Sequence, residues 1–273
     1  MSISSKIFVV PLLSIWSLCF IGCREENTDP QQVLDVEINF EVVVGDEPFR
    51  CGVSYNALGS TSSTVAFHDM RFYVYDVSLI DEDGKQAKLE LEQDGVWQNE
   101  EIALLDFEDG CENGNEALNS IIKGTIPQGS YRGLSFSIGI PPELNTPETI
   151  LEGRGSPLNL NAMYWSWRSG YKYMRLDTDL PFFRFHLGAN ACDDAFVCDE
   201  PNVPTFEFER FNHRSEKILL DLKTLLSDSD LTQNTEGTAP GCMGQSDDPD
   251  CQKIFDHFNL GGGDSLAFSV IAQ

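Results

Sequence analysis

The chain holds four histidines, few enough to weigh singly: His68, His186, His213 and His257. Imidazole is a common ligand for transition metals and the usual proton carrier near neutral pH. His186 lies in FRFHLG (183–188). Strand alternation there puts Phe182, Arg184 and His186 on one face and Phe183, Phe185 and Leu187 on the other. His68 lies in AFHDM (66–70). A histidine in such an aromatic strand is most often a hydrogen-bonded structural residue, and metal ligation is the sharper alternative. His213, in FNHRSE, reads as a turn residue, and His257, in a short C-terminal helix, as a surface one. The second concentration is MYWSWRSGYKYM (163–174), which places Trp165 and Trp167 two residues apart and Tyr171 and Tyr173 at the same parity. On one strand these four would either fill a core or present an aromatic platform to glycans or a protein partner.

The familiar catalytic signatures are missing. There is no Gly-x-Ser-x-Gly elbow, no Gly-rich phosphate loop and no His-Glu-x-x-His pair. Acidic clusters such as DEDG (81–84) and SDSD (227–230) fall short of a calcium loop. Among 44 acidic residues, no carboxylate pair stands out for glycoside hydrolysis, so a hydrolase is the weakest reading. The net charge of −26 repels nucleic acid and anionic lipid and attracts cations or a basic partner.

The elements that must position these residues are mostly strands. LDVEINFEVVV (34–44) alternates strictly, and VAFHDMRFYVYDVSLI (65–80) is long enough to bend or bulge. Asp83-Gly84 and Asp94-Gly95 predict hairpins, with 97–107 as a returning strand and Trp97 in the core. GSYRGLSFSIGI, YKYMRLD, FFRFHLG, TFEFERF and KILLDL add short strands, and 141–162 is a long Pro- and Asn-rich connection. Helix is expected at 248–258 and briefly at LKTLLSD, while SLAFSVIA closes a sheet. The fold class is therefore all-β: one antiparallel β-sandwich over 33–273, with long loops and one or two short helices.

Residues 1–22 read as a secretory signal ending in FIGC, a lipoprotein pattern that would make Cys23 the lipidated first residue. Residues 23–32 then form a polar tether; an ordinary signal peptide cut nearby is the alternative. Six further cysteines in an exported chain point to three disulfides, expected as Cys51 with Cys111 and Cys192, Cys198, Cys242 and Cys251 among themselves. Their spacings do not suit a zinc site.

Several blocks occur in a telling order: RFYVYDV (71–77), WQNEEIALLDFEDGC (97–111), GSYRGLSFSIGIP (129–141), SPLN (156–159), MYWSWRSGYKYMRLD (163–177), FHLGANAC (185–192), and Cys242 with Cys251. Together they resemble the MbnP family, four-cysteine-motif proteins paired with di-haem peroxidases and distantly similar to the MopE/CorA-like copper-binding proteins. The resemblance covers about 34–260. It implies an exported copper-binding lipoprotein, periplasmic or at the outer membrane, that is not itself an enzyme. It also implies that a partner di-haem cytochrome c peroxidase-like enzyme oxidises a tryptophan to kynurenine, and that histidines hold copper together with that kynurenine. Tryptophan offers only an N–H donor, whereas the opened ring carries an aromatic amine and a ketone. Carried over, His186 is the first ligand candidate, and Trp165 and Trp167 are the candidates for oxidation. Relatives often read Leu-Asn-His after the GIP block. This chain reads Leu144, Asn145, Thr146, so either His68 supplies the second imidazole or copper binding is weakened.

Overall fold

The computed structural model describes Met1 and residues 32–111, 114, 116–145, 153–165, 170–193, 197–260 and 266–273. The signal segment, Cys23, Thr146 and Trp167 lie outside the described residues.

The first sheet is built on β1 (Val33–Val44), whose alternation buries Val36, Ile38, Phe40, Val42 and Val44. Strand β9 (Ile121–Pro127) flanks it on one side and β16 (Glu216–Asp221) on the other. Strands β6 (Glu90–Leu91) and β17 (Phe268–Ala272) form the outer edges, and β2 (Glu47–Pro48) folds back on β1. The second sheet is built on β4 (Ser63–Asp81), between β10 (Tyr131–Ile138) and β11 (Met174–Thr178). Its edges are β15 (Thr205–Phe208) and β12 (Arg184–Leu187). Strands β3 (Ser54–Leu58), β5 (Gln86–Lys88) and β8 (Ile102–Asp106) also pair with β4, and β7 (Gln98–Asn99) pairs with β8. A small ribbon joins β13 (Asn190–Cys192) to β14 (Cys198–Glu200).

Aromatic rings from both sheets interlock to make the core. Phe40 of β1 meets Phe72 of β4 and Phe136 of β10 edge-on, with ring centroids 6.2 and 5.4 Å apart. Phe268 of β17 stands 5.9 Å from Phe136. Such edge-to-face pairs add roughly 0.5–1.5 kcal/mol each to the burial of their area. Two short helices cover one end: α1 (Leu222–Leu225) and α2 (Pro249–His257). Asp248 caps α2 by accepting from Asp250 N, and Pro249 follows at the first helical position, where its missing N–H costs nothing.

The all-β, two-sheet architecture and the three disulfides stand, and the pairs are Cys51–Cys111, Cys192–Cys198 and Cys242–Cys251. As expected of so long a strand, β4 shifts register near Asp76, which adopts φ 52°. Four details differ from expectation. First, β1 and β16 run parallel, so the sandwich is not purely antiparallel. Second, Asp83-Gly84 turns β4 into β5, but Asp94-Gly95 is no hairpin, because β6 and β7 belong to different sheets. There the Asp94 carboxylate accepts the N–H groups of Val96, Trp97 and Gln98 at 2.7, 2.7 and 2.9 Å as the chain crosses over. Third, Trp97 is half-buried and packs against the core margin. Fourth, His257 is not a surface residue. It is 8% exposed, with Nε2 2.9 Å from Asp228 Oδ2, because α2 turns that face inward.

Candidate metal centre

Strand β4 is buried on both faces. Met70, Phe72 and Val74 point into the sandwich, whereas Asp69, Arg71 and Tyr73 point outward yet stay buried. Residues 155–165 and 170–173 lie over this outer face. Tyr73 Oη donates to Pro157 O at 2.8 Å, and Tyr171 Oη donates to Leu158 O at 2.7 Å. Arg175 Nη1 and Lys172 Nζ both donate to Ala162 O.

Beneath this cover the register lines up charge across three strands. His186 on β12 pairs with Arg175 on β11, and Arg175 pairs with Arg71 on β4. Asp177 and Asp69 are likewise opposite each other. The side chains interleave by sign. His186 Nε2 lies 2.6 Å from Asp177 Oδ1, and Asp177 Oδ2 accepts from Arg175 Nε at 2.9 Å. Arg175 Nη1 lies 3.2 Å from Asp69 Oδ2, and Asp69 accepts from Arg71 through a two-pronged contact. Buried charge survives only when paired in this way, and removing one member typically costs about 3–5 kcal/mol.

Burial raises the Asp177 carboxyl, but its contacts with His186 and Arg175 more than reverse that and hold it well below the carboxylate range. Burial pushes the His186 imidazole down, against the pull of Asp177. In the tautomer that donates Nε2–H to this carboxylate, Nδ1 is the ring nitrogen left with a lone pair. A carboxylate behind an imidazole is the arrangement that orients metal-ligating histidines. Burial also lowers the neighbouring Lys172 to about 8, with Arg175 adding to the effect.

Trp165 approaches from the covering segment. Its backbone N donates to Gly170 O at 2.9 Å, and an isolated bridge joins Tyr164 to Tyr171, so the segment loops back on itself. Among the described residues of 163–173 no strand forms: Asn161–Met163 make a 3-10 turn, Tyr164 and Tyr171 meet in an isolated bridge, and a strand begins at Met174. Trp165, Tyr171 and Tyr173 are all buried, so these three do not form an exposed platform. The six-membered edge of the Trp165 indole rests on Gly188, two residues beyond His186. The indole also lines a cleft of about 320 Å³ with Arg184, Asn190, Pro240 and Met243. Arg184, His186 and Gly188 have the same parity along the chain, and Trp165 meets Gly188 and shares its cleft with Arg184. Asn145 supports the loop from below, its Oδ1 accepting from Tyr171 N at 2.9 Å.

The candidate residues separate into two places. His68 is half-buried and lines a different cavity, with Gly52, Asp109 and the Cys51–Cys111 disulfide. Two strand spacings and three residues of rise put its Cα roughly 14 Å from that of His186, with the Asp69–Arg175 ion pairs between. The two imidazoles are not brought to one centre. Cys51, Cys111 and Glu108 also cluster beside His68, but both sulfurs are spent in the disulfide. Sequence reasoning missed Asp177. Asp177 carried a usable signal, since its alternation with Arg175 matches that of His186 with Arg184 on the next strand.

No curated protein sequence matches the chain. The solved structure of MbnP from Methylosinus trichosporium is similar over 88% of this chain and 99% of that one, with 28% identity and a TM-score of 0.76. The family model described as MbnP matches residues 33–244. With the family model spanning most of the chain and the fold shared with that solved structure, the chain belongs to the MbnP family.

Proposed function

We propose that this chain is an exported lipoprotein, anchored through Cys23, that binds copper at a site made from His186 and an oxidised Trp165. It is a binding protein with a role in copper handling and performs no catalysis of its own. The observation that carries the reading is the contact of the Trp165 indole with Gly188, two residues along the chain from the carboxylate-backed His186. Conversion of the indole to kynurenine cleaves the C2–C3 bond and releases C2 as formate. The oxidising equivalents come from peroxide, reduced to water by a di-haem peroxidase-like partner. The product brings an aromatic amine and a ketone to the place where the indole offered only an N–H.

The chain's own residues do the rest. Asp177 holds the imidazole tautomer, Arg175 and Asp69 hold Asp177, and the buried Trp165 pocket excludes water from the new donors. Copper, as cargo, suits imidazole together with an aromatic amine, and the anionic exterior concentrates cations near the site. The test is peptide mass spectrometry and copper analysis of the protein from cells that make the di-haem partner. Kynurenine at position 165 with retained copper is expected. Intact Trp165 and Trp167 with no retained copper overturns the reading.

A further inference from the structure

We infer that Cys51, Cys111 and Glu108 hold a Zn(II) ion once the disulfide between the two cysteines is reduced, so that this corner of the fold exchanges a covalent clamp for a metal one. The donor atoms of the three residues lie within 4.8 Å of one another. Sulfur and oxygen donors of one tetrahedral zinc stand roughly 3.6–3.8 Å apart, inside that spread. Spacing along the chain conceals the cluster, because the cysteines are 60 residues apart. Strand β4 brings their segments together. Gly52 N donates to Phe67 O at 2.8 Å, and Phe107 N donates to Met70 O at 3.0 Å. Cys111 Sγ lies 3.6 Å from Phe67 O, and Cys51 N donates to Asp109 Oδ1 at 3.2 Å.

The carboxylate is built into this place. Glu108 is 1% exposed, and its N–H donates to Asp106 Oδ1 at 2.9 Å. A Cβ on Gly114 would fall 1.2 Å from Glu108 Oε2, so glycine alone leaves room for the carboxylate beside the sulfurs. The disulfide is also within reach of a reductant. Thiol attack needs access to a sulfur. Cys51 and Cys111 are partly exposed and line a cavity of about 330 Å³ with His68 and Asp109, whereas Cys242 and Cys251 are fully buried. Cys192 and Cys198 are partly exposed too, but no third donor joins them among the described residues.

The exchange balances with a dithiol as reductant. Its own S–S bond forms as the Cys51–Cys111 bond breaks, two electrons pass to the protein sulfurs, zinc takes both thiolates, and two protons leave. Two thiolates and a carboxylate repel one another, and a divalent cation among them offsets that repulsion. Two thiolates with a carboxylate suit borderline-soft Zn(II). The fourth position faces the cavity, open to water or to the His68 imidazole. This site needs neither the modified Trp165 nor the di-haem partner, so it does not rest on the proposed copper site.

The experiment reduces the mature protein with dithiothreitol under anaerobic conditions, removes the reductant, and maps the opened cysteines by alkylation and mass spectrometry. Zn(II) is then titrated against a chromogenic chelator, and zinc X-ray absorption is recorded for the wild type. The expected result is that Cys51 and Cys111 open before Cys242 and Cys251, and that zinc in the reduced chain has two sulfur neighbours. Zinc added to the oxidised chain should have none. Glu108→Gln should weaken zinc binding at least about tenfold. Cys192→Ser combined with Cys198→Ser should leave the two sulfur neighbours in place. A Cys51–Cys111 bond that outlasts Cys242–Cys251, reduced wild type whose zinc lacks sulfur neighbours, or loss of those neighbours in the Cys192 and Cys198 variant overturns the inference and leaves the proposed function standing. The sulfur signal is read on the wild type, so a folding defect in Glu108→Gln does not blunt the test.

Discussion

The Trp165 indole rests on Gly188 so closely that a Cβ there would lie 2.4 Å from its Cζ3 and 2.7 Å from the carbonyl oxygen of Tyr171. A backbone oxygen cannot step aside as a flexible side chain would. Gly188→Ala is therefore expected to cost about 1–3 kcal/mol, the usual penalty for overpacking. It should also lift the indole off the strand. Urea unfolding measures the first effect, and a red shift of tryptophan emission measures the second.

His186 and His68 should part company under mutation. His186→Ala is expected to abolish copper retention, whereas His68→Ala should leave it within about twofold, since the two lie at different centres. Equilibrium dialysis with copper analysis reads both. An equal loss from each variant would contradict the separation.

Asp177→Asn tests the orienting role of the carboxylate. The amide keeps the size but not the charge, so the hydrogen bond to His186 weakens and Arg175 loses a partner. Copper affinity should fall roughly 10–100-fold, as for other partners of metal-bound histidines. Competition with a chelator measures this against Glu209→Gln, an exposed control.

Asp106 makes stability depend on pH in an unusual direction. Burial raises its carboxyl to about 7, outweighing the hydrogen bond from Glu108 N and the charge of Arg71. The folded state then binds a proton more tightly than the unfolded chain. Its contribution is fully present below about pH 4 and is lost as pH rises towards 7. Asp106→Asn should be more stable than wild type at pH 8 by on the order of 1–3 kcal/mol, with the gain fading towards pH 4. Thermal melts across that range give the sign.

The Cys242–Cys251 bridge closes a nine-residue separation and is fully buried. Replacing both cysteines by alanine is expected to cost about 2–4 kcal/mol. It should also loosen the backbone pairing at His186. Hydrogen exchange at the His186 amide, which is bonded to Cys242 O, reports the loosening.

Much of the fold was legible because its signals are local. The alternation of β1, the cap of α2 and the turn at Asp83-Gly84 each depend on a few neighbouring residues. The face assignment of His186 was legible for the same reason. Other features were not. The parity of Trp165, Tyr171 and Tyr173 imitates a strand, but the bridge from Tyr164 to Tyr171 makes a loop of it. The row of buried Asp69 and Arg71 with partly buried Arg175 and Asp177 looks in sequence like the wet side of two strands. Only the segment that covers it makes those charges interior. The pairing of Cys242 with Phe185 was hidden too, because it joins a residue outside any strand to β12.

The parallel pairing of β1 with β16 has a consequence in time. Gly45, at the end of β1, donates to Asp221, 176 residues further along the chain. During synthesis or passage through a membrane, β1 emerges first and must wait with one edge open until nearly the last strands arrive. Contacts so distant in sequence make folding slow and leave an unsatisfied edge that other chains can capture. Folding is thus a late event for this chain, completed from its far end. Any processing that needs an accessible chain has its opportunity before β16 docks.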